Sequence, residues 1–250
     1  MTYSVYREPL TSRYTSIEMQ ELFSEKTKFI TWRKCWIALA EAQNEIGLSH
    51  IVTEEMIAEM KHNCEDINFE VASEKEKEIR HDVMAHVYEF GTKCPKAEPV
   101  IHLGATSQFV VCNTDLILQK KGLRLVRNGL LHVIQNLARF CEQHKGLPTL
   151  GYTHYQPAQP TTVGKRNTLY LLDLINDLRY LDAFLETMAA RGAKGTVGTQ
   201  ATFLELFNGD HEKVRKLDQR VAEKLGFSRS IEVTGQTYSR KLDIKLIEIL

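Results

Sequence analysis

The chain has 250 residues, 43% of them apolar, which suffices for one large domain or two smaller ones with a real core. Its 32 lysines and arginines balance 32 aspartates and glutamates, so no overall field draws it to nucleic acid or an anionic membrane, and any anionic ligand must be met by locally placed cations. Cys35, Cys64, Cys94, Cys112 and Cys141 are an odd set without a CxxC pair, which fits reduced, partly buried thiols better than a disulfide framework or a zinc knuckle.

The opening MTYSVYREPL has neither the charged n-region nor the apolar h-region of a signal peptide, and nowhere do 18 apolar residues run together, so the cytosol is the expected compartment. From Ser16 to Gly47 apolar and charged residues mix at helical spacing, which predicts one or two helices. Thr53, followed by Glu54 and Glu55, resembles a helix start, and one charged helix is expected from about Phe69 to Phe90. Between Thr114 and His144, Ile117, Leu123, Leu130, Ile134, Leu137 and Cys141 form the stripe of a long buried helix of about 45 Å. A Pro-rich break over 146–162 precedes a second long helix through Leu169, Leu172, Ile175, Leu178, Leu181, Leu185 and Met188. RGAKGTVGTQATF then reads as a flexible-backbone connection, His211 to about Leu225 as an amphipathic helix, and SRKLDIKLIEIL as a helix with no stop signal, cut at Leu250. The expected fold is therefore all-α, with an N-terminal helical domain over 1–106 and a long-helix bundle domain over 107–250.

Polar clusters fall at helix ends or in Gly/Pro-rich breaks, where side chains and backbone can converge on a ligand. They are Arg13 with Tyr14, Arg80 with His81 and Asp82, Thr106 with Ser107, Thr153 with His154, and the TGQTY run containing Gln236. A histidine in the loop between two long helices is either a proton carrier or an ordinary surface residue. His81 and His86 stand five residues apart, so on one helix their rings would diverge by roughly 140°, unlike the i, i+4 pair of a zinc helix, and no metal is expected. Thr106 and Ser107 offer hydroxyls and N–H groups to a carboxylate or phosphate, or simply cap a helix, and Asn113 and Thr114 favour helix caps too. The absence of P-loop, GxGxxG and GxSxG patterns leaves nucleotide hydrolysis, hydride transfer and hydrolase chemistry without their usual signatures.

Taken together, SRYTS at 12–16, RHDVMAHV at 80–87, HLGATS at 102–107 with NTD at 113–115, GYTHYQPAQPTTVGKR at 151–166, KGTVGTQATF at 194–203 and TGQTYSRK at 234–241 resemble the adenylosuccinate lyase branch of the fumarase and aspartase superfamily. Argininosuccinate lyase and class II fumarase are the nearest rivals. The resemblance implies β-elimination of fumarate, from adenylosuccinate to give AMP and from succinylaminoimidazole carboxamide ribotide to give its carboxamide, with no metal or organic cofactor. It implies His154 as general acid. Arg13, Tyr14, Arg80, His81, Asp82, Thr106, Ser107 and Gln236 would be substrate-binding residues, with Lys165 and Arg166 as outer contacts.

The same resemblance implies a homotetramer whose sites are shared between subunits, with no nucleic-acid or membrane partner. It also exposes a departure. The family's base is a serine in a downstream loop of pattern GSSxMPxKxNP, and nothing after Lys241 matches it, nor is the family's C-terminal domain present. The alternative expectation is thus a non-catalytic fragment that binds nucleotide or serves in assembly.

Overall fold

In the computed structural model, which describes residues 8–250, the helix starts follow from side chains that cap them. The first residues of the chain, 1–7, where most of the leader reading falls, lie outside the described residues. After a π-helical turn at Leu10–Tyr14, Ser16 accepts a hydrogen bond from Met19 N–H at the start of α1 (Ile17–Leu22), and Ser24 does the same from Thr27 N–H for α2 (Glu25–Gln43). Thr53 caps α3 (Glu54–His62) as its sequence implies, and Asn68 caps α4 (Phe69–Ile79). Each such cap is worth about 1 kcal/mol.

The single charged helix expected over 69–90 is two helices. Arg80 closes α4 in the left-handed conformation at φ 56°, and the extended His81 opens α5 (Asp82–Lys93), its imidazole accepting from Met84 N–H. Helical periodicity runs through Arg80 undisturbed, so only the backbone reveals the break. The long helix also starts earlier than expected: α6 spans Ser107–Gln143, 37 residues and about 55 Å. Asn113 and Thr114 therefore lie buried inside a helix rather than at its cap.

The chain forms two compact units. The first takes the chain up to Gln119 together with Ala189–Leu242; the second takes Lys120–Met188 with Asp243–Leu250. The expected 106/107 boundary coincides with the start of α6, a helix whose residues up to Gln119 belong to the first unit and from Lys120 to the second. In the first unit, α2 is buried nearly all round and supplies Trp32, Cys35, Trp36 and Leu39 to a core completed by Phe90, Phe109, Phe203 of α8 (Ala201–Leu206), and Leu217 and Val221 of α9 (His211–Lys224). Burial of each large apolar side chain contributes about 1.5–3 kcal/mol. Within this apolar core Arg33 of α2 pairs with Glu89 of α5, both essentially inaccessible.

In the second unit the Pro-rich break is a β-hairpin, β1 (Pro148–Thr153) paired antiparallel with β2 (Gln156–Thr162), leading directly into α7 (Val163–Thr187). The prolines are tolerated because each strand of a two-stranded ribbon is an edge, where a missing N–H costs no ladder bond. At the hairpin's base Gly164 N–H donates to His144 O at 2.9 Å. A side chain at Gly164 would put its Cβ 2.4 Å from Cys141 O, so glycine is what lets α7 start against the end of α6. Further along, the Arg127 guanidinium grips both carboxylate oxygens of Asp182, tying α6 to α7. The chain ends in α10 (Lys241–Ile249). Among the described residues no helix is long and apolar enough to cross a membrane.

Candidate active site

The start of α6 gathers three of the expected binding residues with a fourth from a distant loop. His81 Nε2 and Ser107 Oγ are 3.1 Å apart. The Gln236 amide donates to Thr106 Oγ1 at 3.2 Å across 130 positions of sequence. Because His81 Nδ1 accepts the Met84 N–H at 3.4 Å, the neutral ring carries its proton on Nε2 and donates it to Ser107. Asp82 Oδ1 lies 3.6 Å from Nδ1, too far for a hydrogen bond. The Asp82 carboxylate also accepts from its own Val83 N–H at 2.7 Å. Arg80 sits beside them, exposed, on the left-handed turn.

Thr106, 6% exposed, accepts the Phe109 N–H on its carbonyl at 2.8 Å, so the pair Thr106 and Ser107 occupies the opening turn of α6. Unpaired N–H groups and the positive end of the helix dipole favour an anion there, and two hydroxyls with an amide add donors. The neighbouring histidines play another part. His102 accepts the Trp36 indole N–H on Nδ1 at 2.9 Å, and burial, assisted by the charge of His81, pushes its pKa down to about 4. His86, stacked on Phe29 with ring centroids 3.8 Å apart, is pushed down to about 4 by burial and then by the positive charge of Arg33. Both are neutral at pH 7 and serve packing.

Behind this cluster lies a buried polar network that the sequence did not announce. Asn113 Oδ1 accepts the Gly192 N–H at 3.2 Å, holding α6 to the 191–199 loop. Asp218 of α9 takes the Ala193 N–H at 2.6 Å on one oxygen and the Lys194 ammonium at 2.9 Å on the other, with the Ser230 hydroxyl also donating to it. The connection read as flexible is thus pinned from two sides. Only the density of polar residues around three glycines hinted at it, and such density marks surface loops just as often. The TGQTY run is held as well: Tyr238, 2% exposed, receives a hydrogen bond on its hydroxyl from the Gln119 amide at 3.4 Å.

His154 belongs to the second unit. It sits with Tyr155 at the hairpin tip, where Thr153 faces Gln156 and both tip residues have positive φ, 50° and 57°. That is a two-residue type I′ turn, which favours Asn-Gly; two L side chains there cost roughly 1–2 kcal/mol each. His154 is exposed, and Tyr155 is fully so. The Arg166 guanidinium reaches back from α7 to Leu150 O at 2.7 Å and Thr149 Oγ1 at 3.2 Å, ordering the hairpin. Along one side of the ribbon Tyr152, Thr153, Gln159, Thr161, Lys165 and Arg166 line an open hollow of about 970 Å³.

Arg13 and Tyr14 lie exposed on the first π-helical turn, and among the described residues neither is hydrogen-bonded to the His81–Ser107 or Gln236–Thr106 pair. Within the first unit, His81, Asp82, Thr106, Ser107 and Gln236 therefore form one connected patch, with Arg80 adjoining it in sequence.

Residues 3–240 match the family model described as "Lyase". The chain is 50% identical over 247 residues to adenylosuccinate lyase of Saccharomyces cerevisiae, covering 98% of this chain and 51% of that protein. It is 52% identical over 246 residues to adenylosuccinate lyase of Schistosoma mansoni, with the same coverage of 98% and 51%. The chain spans about half the length of the curated relatives it matches. Among solved structures, 3-carboxy-cis,cis-muconate lactonizing enzyme from Pseudomonas putida superposes with a TM-score of 0.81 at 20% identity, over 97% of this chain and 54% of that one. Fumarate lyase from Mesorhizobium sp. BNC1 gives 0.79 at 20% identity, over 93% and 52%. These two likenesses concern the fold.

Proposed function

This chain belongs to the lyase family, and from that premise we propose that it forms the acid-bearing half of an adenylosuccinate lyase, a carbon–nitrogen lyase of purine nucleotide synthesis. The reaction is β-elimination of fumarate, from adenylosuccinate to leave AMP and from succinylaminoimidazole carboxamide ribotide to leave the carboxamide. The observation that carries the proposal is the patch at the start of α6, where Ser107, Thr106, Gln236 and His81 meet through hydrogen bonds in a chain half identical to enzymes of that name.

The chemistry assigns the roles. A base takes the proton from the carbon beside a carboxylate, and the electron pair left behind spreads onto that carboxylate. The C–N bond then breaks, with its pair going to the nitrogen, which receives a proton from an acid. Hydroxyl and amide donors at a helix N-terminus suit the carboxylate whose negative charge grows, so Thr106, Ser107 and Gln236 are assigned to the succinyl group, with His81 holding Ser107 in place. His154 is assigned as the acid, delivered by a strained and exposed turn. Arg13 and Tyr14 are assigned to the nucleotide, the guanidinium suiting its phosphate, and Arg80 and Asp82 complete the binding set.

An exposed acid suits a site that another copy completes. Exposed Val126, Val133 and Phe140 at seven-residue spacing on α6, with Leu169, Leu172 and Tyr180 on α7, offer apolar surface for a homotetramer, and a cytoplasmic location fits the chemistry. The coverage of half the relatives' length favours a second reading, a fragment that binds nucleotide without turning it over. Incubating this chain with adenylosuccinate and following fumarate separates the two: sustained release excludes the fragment reading, and AMP binding without release supports it. If the complete protein containing this chain also releases no fumarate, the lyase assignment fails.

A further inference from the structure

The KGTVG loop carries no role in the chemistry above, yet its backbone is packed against the loop that bears Gln236. Gly198, at φ +83°, lies so close to Thr234 that a Cβ there would sit 1.8 Å from Thr234 O. Beneath both loops Arg191 is wholly buried. Its guanidinium donates to the carbonyls of Lys194 and Gly195 in one loop, the latter at 3.0 Å, and to Gly235 O in the other at 3.4 Å. Its acceptors are backbone carbonyls, and its Nε has none among the described residues. A buried cation without a paired carboxylate is a costly way to stabilise a fold, since an apolar side chain of similar size would do so more cheaply. What a planar fork supplies instead is geometry, fixing two carbonyl rows at once.

We propose that Arg191 is a positioning residue for substrate binding: by clasping Gly235 to the 194–195 turn it sets the backbone from which Gln236 reaches Thr106. The path from Arg191 to ligand runs through two adjacent residues, because Gly235 O accepts from Arg191 while the neighbouring Gln236 side chain donates to Thr106 Oγ1. A lysine in its place keeps the charge but offers one nitrogen, unable to span both loops. The inference rests on the proposed placement of Gln236 in the substrate site.

The test uses two readouts. In the chain itself, amide hydrogen exchange of Arg191→Lys is compared with wild type; faster exchange at 194–199 and 234–238 with α3 and α5 unchanged is expected, and unchanged exchange in both loops overturns the inference. In the complete protein containing this chain, a double-mutant cycle of Arg191→Lys with Gln236→Ala is followed by fumarate release. Arg191→Lys is expected to raise KM about ten- to hundredfold with a smaller effect on kcat, and to add little once Gln236 is already alanine. An equal rise in KM in both backgrounds shows that Arg191 acts by general stability, and overturns the inference. Should Arg191→Lys fail to fold, Arg191→Gln, a neutral donor to Gly235 O, is carried through the same cycle. A wild-type protein that releases no fumarate refutes the functional assignment, while the exchange result still decides whether Arg191 holds the Gln236 loop.

Discussion

Replacing Glu89 by alanine leaves the Arg33 guanidinium buried with only carbonyl oxygens and the Phe90 ring for company. In the folded protein Glu89 Oε2 pairs with Arg33, and Oε1 accepts the Asn68 N–H at 2.8 Å at the cap of α4. The same guanidinium donates to Asn63 O and to Asp66 O, the latter at 2.8 Å, and its carbon lies 4.3 Å from the Phe90 ring centre. Stranding one member of a buried ion pair costs about 3–5 kcal/mol. For a chain of this size that lowers the melting temperature by about 6–20 °C. Trp32 and Trp36, the two tryptophans of the chain, are both buried in the first unit, so intrinsic fluorescence reports that unit's unfolding even if the two units melt separately. The double variant Arg33→Met with Glu89→Leu removes both charges and is expected to regain more than half of the loss, the remainder reflecting the carbonyls of Asn63 and Asp66 left without a donor. A drop of under about 2 °C for Glu89→Ala, or a double variant as unstable as the single one, would refute the reasoning that charge burial governs this site.

His154→Gln in the complete protein is expected to reduce fumarate release by about 10²–10⁴-fold with nucleotide affinity retained, and near-normal turnover would remove His154 from the acid role. Burial holds the pKa of His86 and His102 near 4 in the folded protein, against the ordinary histidine value of 6.5. The unfolded chain therefore binds more protons between those values, and the stabilisation, full above pH 6.5, is lost as pH falls towards 4, on the order of 3 kcal/mol per histidine. His86→Phe, which keeps the stack on Phe29, should flatten that acid limb when urea midpoints are compared at pH 7 and pH 5; an unchanged slope would contradict the assignment. Gly198→Ala must relieve a 1.8 Å approach to Thr234 O at a positive φ, so a loss of about 2–4 kcal/mol is expected in urea unfolding, and a neutral outcome would show the two loops to be less tightly joined than described.

The features legible from residues alone were those that local rules decide. Thr53 announced α3 because a hydroxyl followed by acidic residues is a cap signal, and the apolar steps of 163–190 and 211–225 needed no tertiary information. The break at Arg80 could not be read, because arginine normally continues a helix and the residue that actually starts α5 is a histidine acting as cap. The hairpin escaped for a different reason: no residue of β1 or β2 is buried, and the half-buried positions of β1 are Thr149 and Gly151 while Leu150 is exposed, so the apolar–polar alternation that identifies a half-buried strand never forms. Of the candidate site, Thr106, Ser107 and His81 were legible as a family pattern, and the structure adds how they touch. Arg191, Asn113 and Asp218 were not, since a buried polar residue is identified by partners far away in sequence. Asn113 in particular looked like a cap and is instead a bracket between α6 and Gly192.

The turn at His154 and Tyr155 has a consequence for anyone who would engineer this protein. A stability-guided redesign would choose Asn-Gly for those two positions, since that pair occupies a type I′ turn without strain, and it would be rewarded with a firmer hairpin. It would also delete the proposed proton donor. On the proposed assignment of His154, the hairpin tip is thus a place where a change that favours durability would remove a group needed for turnover.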